Sequence, residues 1–240
     1  MNSPFRRILK LAVLAFCFMI MFISCNKSDN SISISENKDP DATSDEIYGT
    51  FTDSRDQHVY KTIKIGNQIW MAENLAYLPT VNCPYNASRN KPYYFVYGYK
   101  AYTVDDAITT VNYHTYGVLY NWYSAIKSCP EGWHLPSDNE WTTLENYLIA
   151  NGYNYDGTVI RNKIAKSMAS TKNWIYHYNA KEGSVCYESE KNNKSGFSAL
   201  PGGACNYNNS ESFYVGDIAY WWSSSAINSY EVWNRQMSSV

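Results

Sequence analysis

The sequence predicts an α+β fold, and three observations carry that prediction. Residues 59–65 are rich in β-branched side chains, and Gly66-Asn67 separates them from a second extended run at 68–70, which is typical of a β-hairpin with a primed turn. Apolar residues recur at helical spacing on both sides of residues 129–136, which indicates two helices. The last third returns to aromatic runs. Strands, two helices and further strands form an α+β outline.

The second predicted helix has the more clearly marked ends. Ser137 and Glu140 form the pattern of a capping box, and Asn151-Gly152 supplies a stop. One apolar face follows the cap, formed by Trp141, Leu144, Leu148 and Ile149. The first helix is expected within residues 116–127, where apolar side chains recur at Leu119, Trp122 and Ile126.

The remaining elements are predicted from composition. Residues 79–113 are rich in Tyr, Pro and Asn, which indicates an irregular insert. Residues 195–203 form a short apolar run closed by a glycine pair. The aromatic runs at 219–225 and 230–233 are strand candidates.

The first 24 residues have the pattern of an export signal. Arg6, Arg7 and Lys10 precede an apolar run at 11–23, and no acidic residue occurs in residues 1–24. The run is too short to cross a bilayer core of about 30 Å as a helix. Phe22-Ile23-Ser24-Cys25 resembles a bacterial lipobox, with Phe in place of the usual Leu. This resemblance implies cleavage before Cys25, lipid attachment to Cys25 and an outer-membrane lipoprotein. The alternatives are a secretion signal cut elsewhere and an uncleaved anchor.

Composition separates a tether from a domain. Residues 25–46 are rich in Ser, Asn and Asp and contain no aromatic side chain, so they predict a flexible tether. Aromatic and aliphatic residues then recur without a second linker, which predicts one domain over 47–240. The leader carries three of the 20 basic residues and none of the 22 acidic ones, so the mature chain has a formal charge of −5. This charge argues against nucleic acid as a partner.

Four cysteines remain beyond the leader and Cys25, and in an exported chain an even set indicates disulfides. They are Cys83, Cys129, Cys186 and Cys205. Three pairings are possible, and the spacing selects none of them.

The sequence lacks the common patterns of catalytic and metal sites. The four histidines, His58, His114, His134 and His177, form no HxxxH pair, and no CxxC occurs, so we expect no metal and no cofactor. The run Gly196-Phe-Ser-Ala-Leu200 has Leu where a nucleophile elbow needs Gly. A phosphate-binding GxxxxGK[ST] loop is also absent. The most unusual feature is the abundance of aromatics, with 23 Tyr and 8 Trp, which suits both core packing and the binding of sugars or proteins.

Five motifs in order resemble the Fibrobacter succinogenes major paralogous domain. They lie at residues 60–75, 116–122, 129–141, 196–203 and 220–224. The residues that carry the resemblance are Trp70, Asn74, Tyr116, Gly117, Trp122, Trp133, His134, Leu135, Pro136, Ser137, Glu140, Trp141, Gly196, Phe197, Pro201, Gly202, Gly203 and Trp222. The family is found in exported proteins and lipoproteins, particularly of the Bacteroidetes and Fibrobacter groups, and it brings no established activity.

A second, more remote resemblance concerns the fold. The helix with Trp122, then Cys129 and His134-Leu135, and then the helix from Asp138, are similar to the start of a C-type lectin-like domain. Formylglycine-generating enzymes share that fold, but their catalytic cysteine pair has no counterpart in this sequence, and the calcium motifs of lectins are absent as well. The resemblance implies small antiparallel sheets with two helices and a closing C-terminal strand, and by this comparison the chain is expected to end one strand short, at Val240. In that scheme Cys129 has lost its partner or pairs with Cys83.

These observations predict a lipid-anchored cell-envelope protein that is not an enzyme and binds a glycan or a protein. The expected binding surface comprises the aromatic loops at 79–113 and 153–180. A structural or adhesion role without a specific ligand is the first alternative. An enzyme on the scaffold of the formylglycine-generating enzymes is the second.

Overall fold

The computed structural model describes residues 6–8, 19–21, 23–28, 48–82, 91–206, 211–228 and 231–240, and these residues form an α+β fold. The strands of these ranges are β1 (Arg6–Ile8), β2 (Met19–Ile20), β3 (Asn26–Ser28), β4 (Tyr48–Thr52), β5 (Val59–Ile65), β6 (Gln68–Met71), β7 (Tyr94–Phe95), β8 (Leu119–Tyr120), β9 (Ala204–Asn206), β10 (Glu211–Phe213), β11 (Ile218–Ala226) and β12 (Val232–Ser238). The helices of the same ranges are α1 (Val104–Ala107), α2 (Val111–Tyr116), α3 (Trp122–Ser128), α4 (Asp138–Ala150) and α5 (Ala165–Met168), with a 3₁₀ turn at Ser189–Lys191.

The strands form small antiparallel sheets. The largest has the order β3-β6-β5-β4, and two three-stranded sheets have the orders β1-β12-β11 and β10-β9-β2. Strands β7 and β8 pair separately. The predicted α+β class is therefore confirmed.

The predicted hairpin is also confirmed. Ile65 pairs with Gln68 across the two-residue turn Gly66-Asn67. Gly66 has a φ of +61°, which is the left-handed conformation that primed turns need at their first central residue.

Helix α4 begins at the predicted cap. The Ser137 hydroxyl accepts a hydrogen bond from the backbone N–H of Glu140, and the Glu140 carboxylate accepts one from the backbone N–H of Ser137. The apolar face of α4 is buried through Trp141, Leu144 and Leu148.

The first predicted helix is wrong over its N-terminal half. Helix α2 ends at Tyr116, Gly117 has a φ of +76°, and α3 begins only after the N-cap Asn121. The chain passes so close to its neighbour that a Cβ at position 117 would lie 2.8 Å from the carbonyl oxygen of Leu75. The glycine permits this close approach, which interrupts the helical periodicity.

An aromatic cluster forms the centre of one half of the core. The rings of Trp70 and Trp141 have centroids 4.8 Å apart, and Phe197 lies 5.7 Å from Trp70 and 5.9 Å from Trp141. Trp221 completes the group at 6.0 Å from Phe197. Offset and edge-on aromatic contacts of this kind stabilise a core beyond the area that they bury.

A buried cation ties α4 to β12. The guanidinium of Arg235 is fully buried and donates to the carboxylates of Glu145 at 2.6 Å and Asp138 at 2.7 Å. It also donates to the Asp138 carbonyl and to the Thr142 hydroxyl. A buried charge needs such partners, because an unpaired one carries a large desolvation cost.

Residues of the predicted leader and tether form part of the domain in the full-length chain. Strand β1 pairs with β12 and β2 pairs with β9, although residues 1–24 are expected to be removed on export. Strand β3 pairs with β6, so residues 26–28 differ from the expected tether. Residues 29–47 lie outside the described ranges.

The disulfide pairing corrects the sequence-based expectation. Cys129 is bonded to Cys25, so it neither lacks a partner nor pairs with Cys83. Cys83 itself lies outside the described residues. The reason for the error is that the pairing joins residues 104 positions apart, which the local spacing of cysteines does not reveal.

Candidate functional site

The motif residues of the sequence have structural contacts. The side chain of Asn74 donates to the carbonyl of Tyr116 at 2.9 Å and accepts from the indole N–H of Trp221 at 3.2 Å. The indole of Trp122 donates to the Ser223 carbonyl, and that of Trp222 donates to the Tyr120 carbonyl, both at 2.9 Å. These tryptophans therefore lock loops and strands together.

Residues 133–136, in the turn before α4, also make contacts within the fold. Trp133 and Leu135 are buried, and the Pro136 carbonyl accepts from the backbone N–H of Ser224 at 2.9 Å. Trp133 packs against Phe51 with ring centroids 5.2 Å apart. The residues of this turn connect the core to the neighbouring strand β11.

His134 pairs with the capping carboxylate. Its Nε2 lies 2.6 Å from Oε1 of Glu140. This hydrogen bond raises the pKa of His134 above its ordinary value, although partial burial opposes the shift. Desolvation opposes the ionisation of Glu140, but hydrogen bonds from His134 and Ser137 outweigh it and lower the pKa of the carboxyl to about 2. The pair extends the helix cap.

In the motif at 196–203, the backbone passes close to neighbouring segments of the chain. Phe197 belongs to the aromatic cluster, and Gly196 has a φ of +76°. The Pro201 carbonyl accepts from Gly216, and the N–H of Gly203 donates to Ile218, both at 2.8 Å. Gly202 donates its backbone N–H to the carbonyl of Leu200.

The other described cysteines are Cys186 and Cys205. Cys186 and Cys205 are both buried, and they are not joined to each other because Cys186 has a free thiol. Among the described residues, no three His, Cys, Asp or Glu side chains come together as a metal site would require. The helices of those same ranges include none that is long and apolar enough to cross a membrane.

A cleft of about 380 Å³ opens in the loop region after α4. Three segments form it: the turn at 152–157, helix α5 and the stretch at 182–194. Its lining consists of tyrosines, lysines, acids and small residues, namely Gly152, Tyr153, Asn154, Tyr155, Gly157, Lys166, Ser167, Glu182, Gly183, Tyr187, Glu188, Lys191 and Lys194. Its volume lies in the range of small-ligand sites, about 300–1,000 Å³.

Two lining residues hold the walls of the cleft in place. The Asn154 amide donates to the carbonyls of Thr158 at 2.7 Å and Arg161 at 3.1 Å, and it accepts from the backbone N–H of Lys163. The ammonium of Lys166 donates to the carbonyl of Tyr187, and burial lowers the pKa of this lysine. The Asn154 contacts fix the loop that follows the turn at 152–157, and the Lys166 contact joins helix α5 to the stretch at 182–194.

The tyrosines of the cleft offer surface to a ligand. Tyr155 is 42% exposed, and Gly183 comes so close to its ring that a Cβ there would lie 2.7 Å from Cζ. Tyr153 is half-buried, and the ammonium of Lys194 lies 5.5 Å from its ring centroid. The cleft therefore combines aromatic rings, hydroxyls and charged groups.

The expected aromatic surface is only partly brought together here. Tyr153 and Tyr155 belong to the predicted range 153–180 and line the cleft, whereas the described residues of the range 79–113 do not line it. Sequence reasoning missed Lys166, Tyr187 and Lys194. No motif marks these residues, since they meet the tyrosines only through the fold.

The described residues form an α+β domain. The motif residues named in the sequence make hydrogen bonds and packing contacts within it. Comparison with protein families gives the identity: residues 63–239 match the Fibrobacter succinogenes major domain. The match covers more than half of the chain, so the protein belongs to this family, as its motifs indicated. Neither the curated proteins nor the solved structures contain a match.

Proposed function

We propose that the protein is a lipid-anchored protein of the cell envelope, held in the outer membrane, that binds a glycan and catalyses no reaction. The domain, with a C-type lectin-like arrangement, would present the cleft at 152–194 to the ligand. The observation that carries the proposal is the pairing of Tyr153 and Tyr155 with polar groups in one cleft of about 380 Å³.

A sugar matches this surface chemically. Its C–H faces pack on tyrosine rings, and its hydroxyls take hydrogen bonds from phenols and from charged groups. Tyr155 and Tyr187 supply phenols, while Glu182 and Lys194 supply an acceptor and a donor at the exposed rim. A protein ligand is the alternative, because tyrosine contributes contact area at low entropic cost in both cases.

Glycan binding is tested with an array followed by titration of the best hit. We expect Tyr155→Ala to weaken binding by about tenfold, which corresponds to about 1.4 kcal/mol. Tyr123→Ala is the matched control, because Tyr123 is 41% exposed on α3 and lies outside the cleft. Binding that is equally weakened by both changes, or an array with no hit above background, would refute the proposal.

Attachment of a lipid to Cys25 requires that its sulfur is not in a disulfide. A thioether-linked lipid uses the same sulfur of Cys25 that is bonded to Cys129 in the structure. In lipidated protein the Cys25–Cys129 disulfide is therefore absent, because the sulfur of Cys25 carries the lipid, and residues 1–24 have been removed.

Metabolic labelling with a palmitate analogue tests the anchor. We expect labelled wild-type protein in the membrane fraction, no label in Cys25→Ser, and retained label in Cys129→Ser. Equal labelling of wild type and Cys25→Ser would exclude this anchor.

A further inference from the structure

The cleft at 152–194 has a positive charge, although the chain as a whole is acidic. Its lining contains three lysines, Lys166, Lys191 and Lys194, and two acids, Glu182 and Glu188. Three positive and two negative groups leave a formal charge of +1, whereas the whole chain has a formal net charge of −2. A concave site of one sign attracts ligands of the opposite sign, because its low-dielectric walls focus the field of the charges.

Two of the three lysines have no local counterion. Lys191 is paired with the carboxylate of Glu188 at 2.8 Å, so these two groups neutralise each other. Within the described part of the chain, neither Lys166 nor Lys194 forms an ion pair with a carboxylate. A negatively charged ligand would supply the missing counterion.

Lys166 is a fixed charge in the wall of the cleft. Its side chain is half-buried, and its ammonium donates to the carbonyl of Tyr187 and, at 3.4 Å each, to those of Ser184 and Glu188. Burial lowers the pKa of this lysine, because desolvation disfavours the charged form. An anion in the cleft would stabilise the ammonium while the carbonyls hold it, since Coulombic attraction needs no direct contact.

Lys194 is the cation that a ligand can reach. The side chain is exposed, and its ammonium lies 5.5 Å from the ring centroid of Tyr153. Tyr153 is half-buried and packs against the core, so its ring has a fixed place below the ammonium. A sugar that packs on this ring would have its substituents close to Lys194.

The other tyrosine of the cleft has different electrostatic surroundings. The ammonium of Lys163 lies 5.9 Å from the ring centroid of Tyr155, but it is paired with the carboxylate of Asp156. Glu182 is exposed and directly precedes the glycine that approaches the Tyr155 ring. The accessible cation therefore lies at Tyr153, and the accessible acid lies next to Tyr155.

We propose that the ligand of the cleft is an acidic glycan, with an anionic sugar unit packed on Tyr153 and its carboxylate or sulfate group paired with Lys194. This inference rests on the proposed glycan binding and specifies the class of glycan. Lys166 adds to the attraction through its field. A neutral unit occupies the Tyr155 end, where Glu182 accepts hydrogen bonds from hydroxyls and repels a second anionic group.

The test uses a glycan array with three groups of equal chain length: neutral, uronate-containing and sulfated oligosaccharides. We expect the hits to be acidic, and titration of the best one against the full-length chain gives its Kd. Removing its charge, by methyl esterification or desulfation, should raise Kd about fivefold, the upper range for an exposed ion pair. At about 1 M NaCl, where the screening length is about 3 Å, most of this preference should disappear.

Lys194→Gln assigns the contact. It should weaken binding of the charged hit about fivefold and that of the uncharged derivative less than about twofold, because the two changes remove the same ion pair. Lys127→Gln is the matched control and should leave both affinities unchanged, since Lys127 is exposed on α3 and does not line the cleft. An equal loss for both ligands in Lys194→Gln would contradict the pairing.

Other outcomes would also overturn the inference. Hits confined to neutral glycans, or equal affinity for the charged hit and its uncharged derivative, would leave glycan binding in place and remove the acidic specificity. A polyglutamate peptide that binds as tightly as the acidic hit would show that the cleft selects charge and not sugar. An array without any hit would refute the proposed function itself, and this inference with it.

Discussion

Replacing Arg235 by methionine should destabilise the domain more than any surface change of the same charge. The side chain has no exposed surface, and it neutralises Glu145, which is 5% exposed, and Asp138, whose side chain is 16% exposed. Methionine has a similar length but no charge, so Glu145 would keep a buried charge without its cation.

The size of the effect follows from that burial. Removing one partner of a buried ion pair costs about 3–5 kcal/mol. A domain of 150–250 residues loses about 2–4 °C in melting temperature per kcal/mol, so we expect a fall of about 6–20 °C for Arg235→Met. Adding Glu145→Gln should restore part of this loss, because the glutamine amide is neutral and can still accept from Asn162.

Urea unfolding followed by tryptophan fluorescence, with the disulfide intact, measures these free energies. Lys172→Met is the control, since Lys172 is exposed and its change should stay within about 0.5 kcal/mol. A loss below about 1 kcal/mol for Arg235→Met, or strictly additive effects with Glu145→Gln, would refute the role given to the buried cation.

Two further predictions concern pH and backbone conformation. His134→Gln should reduce the stability most between about pH 4.5 and 6.5. The folded pKa of His134 is raised, so its contribution is complete below the unfolded value and disappears as the pH rises through the folded one. The contribution of Glu140 is present above its unfolded value and disappears as the pH falls through about 2. Gly196→Ala should cost about 1–3 kcal/mol more than Gly132→Ala, since both glycines have positive φ but only a Cβ at 196 meets a neighbour, the Tyr48 hydroxyl at 2.7 Å.

Matched measurements decide both predictions. His114→Gln, which changes an exposed histidine of α2 outside the α4 cap, is the matched control in urea unfolding. A His134→Gln difference that is constant from pH 5 to 9 would contradict the pairing with Glu140. Equal losses for the two glycine variants would mean that the contact with Tyr48 relaxes without cost.

Local patterns were predictable where neighbouring residues decide the conformation. The Gly66-Asn67 hairpin and the Ser137–Glu140 cap depend on residues at most three or four positions apart, and both are present. The helix expected at 116–127 was wrong over its N-terminal half, because the approach of Gly117 to the carbonyl of Leu75 depends on a segment about 40 residues away. No helical pattern carries that information.

The sequence predicted that tyrosines in the range 153–180 would form a binding surface, but it did not predict the cleft. Tyr153 and Tyr155 lie in the range that was expected to bind, but their neighbours Lys166 and Lys194 reach them through the folding of a long loop region. Of the two ranges of loops expected to form one surface, the described residues of 79–113 do not line this cleft.

By itself, the sequence determined the α+β class, the hairpin, the capping box and membership of the Fibrobacter succinogenes major domain family, because these depend on local spacing and on motifs. Only the tertiary structure decided the partner of Cys129, the burial of Arg235 between two carboxylates and the backbone hydrogen bonds that join Met21 to Tyr120 and Ile23 to Leu75. Each of these joins residues about 50 to more than 100 positions apart. Such contacts follow from the packing of the whole core, which no short stretch of sequence specifies.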